Sequence, residues 1–385
     1  MSGRGTVAWH LPALILASAV AWALPSATQH SGAQPPGAPP SGAPPPGAPP
    51  SGAPASSYCL AADWPNLPDD IELGQAAGLG IDSRGVVYVF HRGGRSWDTA
   101  PSLAARAQAL WAGLFGAGSD IETIAQDTIL ALDPKTGELL ASFGAGRFRI
   151  PHGLTLDGGN NIWVTDVGLH QVFKFSPSGE LLLTLGEAGQ AGSGPARFNG
   201  PTDVAVGPSG SIYVADGYGN ARVVKFSPEG AFLMEWGGRG AAPGQFDVPH
   251  GIAIDEHGQI YVADRGNARI QVFDGAGRVL RQISGPEIGR PWAVDLGADG
   301  TLYVVDGGDQ DPANPRSGLL ALTPEGRVLA RWSGYGYEAG NLVWPHDLAV
   351  SSRSEIFVGE VLDANRIQKF SPGCGNLAQR PAPIE

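Results

Sequence analysis

Residues 249–264 read Pro249-His250-Gly251-Ile252-Ala253-Ile254-Asp255-Glu256-His257-Gly258-Gln259-Ile260-Tyr261-Val262-Ala263-Asp264. Apolar residues alternate with others on both sides of a Gly-containing turn, the period of antiparallel strands and not of an amphipathic helix. The opening of this stretch returns as Pro151-His152-Gly153-Leu154 and Pro345-His346-Asp347-Leu348, and, with another residue in the histidine slot, as Pro201-Thr202-Asp203-Val204 and Pro291-Trp292-Ala293-Val294. Its second half returns as Ile162 to Asp166, Ile212 to Asp216, Leu302 to Asp306 and Ile356 to Glu360. After it come a loop, another alternating run such as Gln171 to Phe175, Val223 to Phe226 or Ile270 to Phe273, a turn of Ser-Pro-x-Gly or Asp-Gly type, and a further apolar run. A sixth copy stands upstream at Ala77-Gly78-Leu79-Gly80-Ile81-Asp82, followed by Val86 to Phe90. Six units of roughly 40 to 55 residues, each with about four short strands, predict an all-β chain folded as a six-bladed β-propeller.

Working outward, the first unit is lengthened by an insert at 95–126 that precedes a strand expected at Thr128 to Leu132, and Leu103 to Phe115 is the convincing helical stretch within it. Residues 1–27 carry Arg4, an apolar run from Val7 to Leu24 and small residues near Ala27, the pattern of a secretory signal peptide. Export to a secreted or periplasmic location is therefore expected, with no stable membrane insertion after cleavage. Residues 28–58 are a Pro/Gly/Ala-rich linker without the large apolar groups a core needs, the propeller is expected over 59–375, and 376–385 form a tail. A net charge of −12, with no basic run, argues against a nucleic-acid partner. The chain has two cysteines, Cys59 and Cys374, which bracket the repeats; in an exported ring whose ends meet, a bond between them is expected to clasp it shut.

The histidine slot carries the chemistry. His152, His250 and His346 are 98 and 96 residues apart, two repeat lengths each time, so a closed ring turns three imidazoles from alternate blades toward one axis. Three imidazoles with an open fourth position suit a mononuclear Zn2+ site; the competing reading is that Pro-His merely suits the entry turn of a blade. Asp347, with the carbonyls of Leu79 and Leu154 at matching repeat positions, is a candidate set for a harder cation such as Ca2+, although Asp203 shares the slot of Asp347 and suits a turn cap equally. Beyond the strand ends stand Arg92, Tyr218 and Arg265. Arginines at a channel mouth suit a carboxylate ligand, and a tyrosine whose phenol pKa is lowered by neighbouring cations suits proton transfer. Taken singly, each arginine reads better as an ordinary turn salt bridge with a neighbouring Asp, and Tyr218 as an aromatic lid on the turn.

The run Gly74-Gln75-Ala76-Ala77-Gly78-Leu79, then Phe90-His91-Arg92-Gly93, Trp97-Asp98 and Asp127-Thr128-Ile129-Leu130, resembles the opening of the peptidyl-α-hydroxyglycine α-amidating lyases, propellers of NHL-type repeats. The resemblance continues through Trp163-Val164-Thr165-Asp166-Val167, Asp216-Gly217-Tyr218, Pro243-Gly244-Gln245-Phe246, Ala263-Asp264-Arg265 and Pro345-His346-Asp347, covering roughly residues 70 to 370. It implies that His152, His250 and His346 hold zinc, that Leu79, Leu154 and Asp347 hold calcium, and that Tyr218, Arg92 and Arg265 act on the substrate. That substrate would be a peptide ending in α-hydroxyglycine, split at its N–C bond into a peptide amide and glyoxylate. Two departures stand out: Gly219 takes the place of a disulfide-forming neighbour of the tyrosine in animal members, which predicts a less constrained tyrosine loop, and Trp344 replaces a methionine. The alternative is a non-catalytic NHL-type propeller binding a protein or glycan, which needs no three-histidine axis. A lactonase-like propeller would lean on carboxylate and Asn ligands instead.

Overall fold

A computed structural model describes residues 58–95, 122–308 and 315–373. The signal peptide, the linker up to residue 57, Trp97, Asp98, the helix expected at Leu103 to Phe115, Cys374 and the tail lie outside the described residues. Six four-stranded antiparallel sheets are present. The first blade comprises β2 (Ala76–Ile81), β3 (Val87–His91), β4 (Ile129–Leu132) and β5 (Leu139–Phe143). The second comprises β6 (Pro151–Leu156), β7 (Ile162–Asp166), β8 (Gln171–Phe175) and β9 (Leu181–Leu185). The third runs from β10 (Asp203–Val206) through β11 (Ile212–Asp216) and β12 (Arg222–Phe226) to β13 (Phe232–Gly237). The fourth holds β14 (Pro249–Ile254), β15 (Ile260–Asp264), β16 (Arg269–Phe273) and β17 (Val279–Ser284). The fifth holds β18 (Pro291–Leu296), β19 (Leu302–Asp306), β20 (Gly318–Leu322) and β21 (Val328–Trp332).

The sixth blade departs from sequence order. Its inner strands are β22 (Pro345–Val350), β23 (Ile356–Glu360) and β24 (Ile367–Pro372), but its outer strand is β1 (Tyr58–Leu60), drawn from the start of the described chain. Tyr58 therefore belongs to the propeller and not to the linker. The register sets Tyr58 opposite Pro372 and Cys59 opposite Ser371, so the ring is closed by strand pairing. Tyr58 stacks on Trp332 at 4.7 Å and shares a hydrogen bond with Tyr303 at 3.2 Å, tying this strand to the fifth blade.

The innermost strands β2, β6, β10, β14, β18 and β22 are each other's neighbours around the ring. The cores lie between successive blades, as where Ile270, Val272 and Ile283 of the fourth pack with Leu302, Val304 and Leu320 of the fifth. Middle strands such as Ile260–Asp264 are buried throughout, so their alternation sorts side chains between two inter-blade cores instead of between core and water.

The acid ending each middle strand from the second blade onward explains the repeat. Asp166, Asp216, Asp264, Asp306 and Glu360 are all fully buried. Their carboxylates accept amide hydrogens from Ile150 (3.0 Å), Asn199 (2.8 Å), Asp247 (2.8 Å), Arg290 (3.0 Å) and Val343 (2.5 Å), the segments leading into the Pro-x slot of the same blade. Four of the five also carry an arginine: Arg222, Arg269, Arg316 and Arg366 reach Asp216, Asp264, Asp306 and Glu360. Five of the six blade entrances are thus pinned by charge-assisted hydrogen bonds.

Candidate metal centre

The first residues of β6, β14 and β22 carry His152, His250 and His346 to the axis. All three are buried, and each offers a ligand atom within 4.8 Å of the others. Ring centroids are 4.5 Å apart for His152 and His346 and 4.8 Å for the two other pairs. What aims them is a second alternation. His152 Nδ1 lies 2.6 Å from the carbonyl of Thr202, His250 Nδ1 2.8 Å from that of Trp292, and His346 Nδ1 2.7 Å from that of Ala77. Thr202, Trp292 and Ala77 occupy the histidine slot in the three intervening blades. A carbonyl only accepts, so each Nδ1 donates and each Nε2 is left with its lone pair at the axis, the arrangement by which proteins orient metal-bound imidazoles. Burial, then the neighbouring rings and Arg92, hold His152 and His346 far below the usual imidazole range; burial and Arg265 do the same to His250. Three neutral, convergent nitrogen donors fit a borderline metal ion. The three supporting residues escaped the sequence reading, although their place in the alternate slots was a signal for them.

Tyr218 lies across the same opening. Its hydroxyl is 2.9 Å from His152 Nε2 and 3.3 Å from His250 Nε2. Among the protein's own groups, burial raises its phenol pKa, and the charges of Arg265 and Arg92 oppose this. The expectation of a loose tyrosine loop is corrected. Tyr218 N–H donates to Gly200 O at 3.2 Å and Gly219 N–H to Asn199 O at 2.7 Å. A Cβ on Gly217 would meet the Pro249 carbonyl oxygen at 1.9 Å, and one on Gly219 would meet Asn199 Cγ at 2.1 Å. Close backbone approach does here what a disulfide does elsewhere.

Arg265 is not paired with the adjacent acid. Asp264 is engaged by Arg269 at 2.7 Å, and the Arg265 guanidinium lies 3.6 Å from the ring centre of Trp292. Arg92 is fully buried, donating from Nε to Pro151 O at 3.0 Å and from Nη1 to Gln75 Oε1 at 2.6 Å. Burial pushes its pKa down to about 10, against the pull of Tyr218.

Next to the histidines along the channel, a cavity of about 240 Å³ is lined by Leu79, Leu154, Asp203, Asp295 and Asp347 among others. Leu79, Leu154 and Asp347 are therefore brought together as expected. Asp347 Oδ2 accepts the Leu79 amide at 2.8 Å, Asp203 Oδ2 that of Ile252 at 2.9 Å and Asp295 Oδ2 that of Val350 at 2.8 Å. Burial, together with Asp203 and Asp295, raises the Asp347 carboxyl well above its ordinary range. Burial raises Asp295 to about 6. Three half-buried carboxyls lining one channel make a donor set for a hard cation.

Fold and site together define a propeller with an axial three-histidine centre facing a tyrosine and two arginines. Residues 148–175, 198–226 and 246–273 match the NHL repeat. Over 323 residues the chain is 39% identical to peptidyl-glycine alpha-amidating monooxygenase B of Xenopus laevis, covering 80% of this chain and 35% of that protein. It is 31% identical over 325 residues to peptidyl-alpha-hydroxyglycine alpha-amidating lyase 2 of Drosophila melanogaster, covering 81% of this chain and 75% of that one. The chain belongs to the peptidyl-α-hydroxyglycine α-amidating lyase family, and it spans about a third of the length of the amidating monooxygenases it matches. Among solved structures, a streptogramin B lyase superposes with a TM-score of 0.51 at 15% identity, over 82% of this chain and 98% of that one, a likeness of fold.

Proposed function

We propose that this chain is an exported, zinc-dependent lyase that cleaves the N–C bond of a peptide ending in α-hydroxyglycine, yielding a peptide amide and glyoxylate. The observation that carries the reading is the convergence of three neutral Nε2 atoms with the Tyr218 hydroxyl, 2.9 Å from one and 3.3 Å from another. Family membership with animal lyases supports the substrate class, and residues 1–27 support export.

His152, His250 and His346 would hold zinc, which supplies Lewis acidity toward the substrate hydroxyl. Leu79, Leu154 and Asp347 would hold a calcium ion of structural role. Tyr218 would be the general base. Its phenol is neutral by burial, and the cationic Arg265 and Arg92 favour the phenolate that accepts the hydroxyl proton. Once that proton has left, the C–O bond becomes C=O, the C–N bond breaks and its electron pair goes to the amide nitrogen, which takes up a proton. Arg92 and Arg265 would bind the carboxylate that becomes glyoxylate's.

The test is to measure bound metal and to assay glyoxylate release from a hydroxyglycine-capped peptide, with and without chelator. Release at about one zinc per chain, lost on chelation and restored by zinc, is expected. A zinc-loaded protein that releases no glyoxylate would overturn the substrate assignment.

A further inference from the structure

Trp292 stands in the one carbonyl-supplying slot that carries an aromatic side chain. The equivalent slots hold Ala77 and Thr202, and both orient their histidines equally well. The indole is therefore surplus to the metal centre, since the backbone carbonyl suffices for that task. What distinguishes this slot is its neighbour: blade four is followed at its strand end by Arg265, and the guanidinium carbon lies 3.6 Å from the indole ring centre, the separation of a stacked pair.

The rest of the surroundings fixes both partners. Trp292 is buried, donates from Nε1 to Gly308 O at 3.4 Å, and packs so closely on Gly307 that a Cβ there would meet the indole at 2.5 Å. Its ring stands 5.6 Å from that of His250, 5.9 Å from His346 and 6.2 Å from Trp344. Arg290 holds the backbone of Arg265, donating to the carbonyls of Arg265 (2.7 Å) and Gly266 (2.8 Å). The positive charge of Arg265 is close enough to act on the Tyr218 phenol. Arg92, by contrast, is oriented by hydrogen bonds to Gln75 and Pro151.

We propose that Trp292 is a positioning residue: its indole face holds the Arg265 guanidinium flat, so that the N–H edges stay directed at the carboxylate of the substrate. A stacked guanidinium keeps its in-plane donors available, whereas an arginine held by a carboxylate spends them. The inference rests on the lyase reading for the identity of the carboxylate, but the stacking itself does not.

The experiment compares wild type, Trp292→Leu and Trp292→Phe on a hydroxyglycine-capped peptide and on its C-terminal carboxamide counterpart, with metal content measured throughout. Trp292→Leu is expected to raise KM for the carboxylate substrate on the order of tenfold with a smaller change in kcat, to leave zinc content and carboxamide kinetics near wild type, and Trp292→Phe to recover most of the loss. Equal losses on both substrates, or a Phe variant as poor as Leu, overturn the proposal. Should wild type release no glyoxylate, the lyase reading falls and glycolate binding by calorimetry decides this one. Roughly tenfold weaker binding in Trp292→Leu upholds it; unchanged binding overturns it.

Discussion

The hydroxyl of Tyr218 sits 2.9 Å from Nε2 of His152 and 3.3 Å from Nε2 of His250. It touches the donor atoms without being needed to orient them, because each Nδ1 is already tied to a backbone carbonyl. Tyr218→Phe is therefore expected to keep its zinc and its melting temperature while losing about 10²–10⁴-fold in kcat. Metal analysis beside steady-state kinetics reads both; undiminished turnover would remove the phenol from the chemistry.

Gly217 is packed against backbone, with the Pro249 carbonyl oxygen 1.9 Å from where a Cβ would be. Gly217→Ala must push apart the Tyr218 loop and the strand carrying His250. A loss of about 1–3 kcal/mol in stability is expected, with a fall in kcat, measured by denaturant titration and assay. Gly158→Ala, where nothing lies within 4 Å, is the control that should change neither.

His91 and His170 are each held to a pKa of about 4 by burial, from the ordinary 6.5. Gly74 and Gly93 N–H groups donate to Nδ1 of His91, and Gly200 N–H to Nδ1 of His170, which also requires the neutral rings. With a depressed native pKa, the unfolded chain takes up protons first as pH falls, so the stability these rings confer is complete above pH 6.5 and is lost toward pH 4. Melting temperature should drop across that window. His170 has φ 57°, a conformation asparagine tolerates, so His170→Asn should flatten part of the slope. An unaltered slope in that variant would exclude His170 as a contributor.

Ring closure offers another measurement. Cys59 faces Ser371 across the β1–β24 ladder, three residues short of Cys374. We propose that the two cysteines are bonded, which would cross-link almost the whole propeller. Reduction, or Cys59→Ser, should then cost about 2–5 kcal/mol. A free-thiol titre of two per denatured, unreduced chain would show that no such bond exists.

The blades were legible because alternation and turn residues recur at matching offsets; Gln171–Phe175 and Leu302–Asp306 have the same bounds in sequence and structure. The histidine convergence was legible too, since equal spacing in a ring implies a common axis. What stayed hidden were partners defined by closure and not by local pattern. β1 has only three residues and no repeat signature, so its place in the sixth blade follows from the meeting of the ends. The cations near the Tyr218 phenol were readable from motifs, whereas its burial is a property of the assembled blades. Asp203 was visible in the slot of Asp347, whereas Asp295 was obscured because it lies two positions further along its unit than Asp203 does.

Rings and the carbonyls that steer them come from opposite members of each neighbouring pair of blades, so the working module of this site is a doublet. Three doublets give the centre a pseudo-threefold symmetry within a sixfold scaffold. Gain or loss of one blade would set the remaining modules out of phase, with imidazole beside imidazole or carbonyl beside carbonyl at the seam. A family built on this centre can therefore vary its loops freely, but its blade number is constrained by parity.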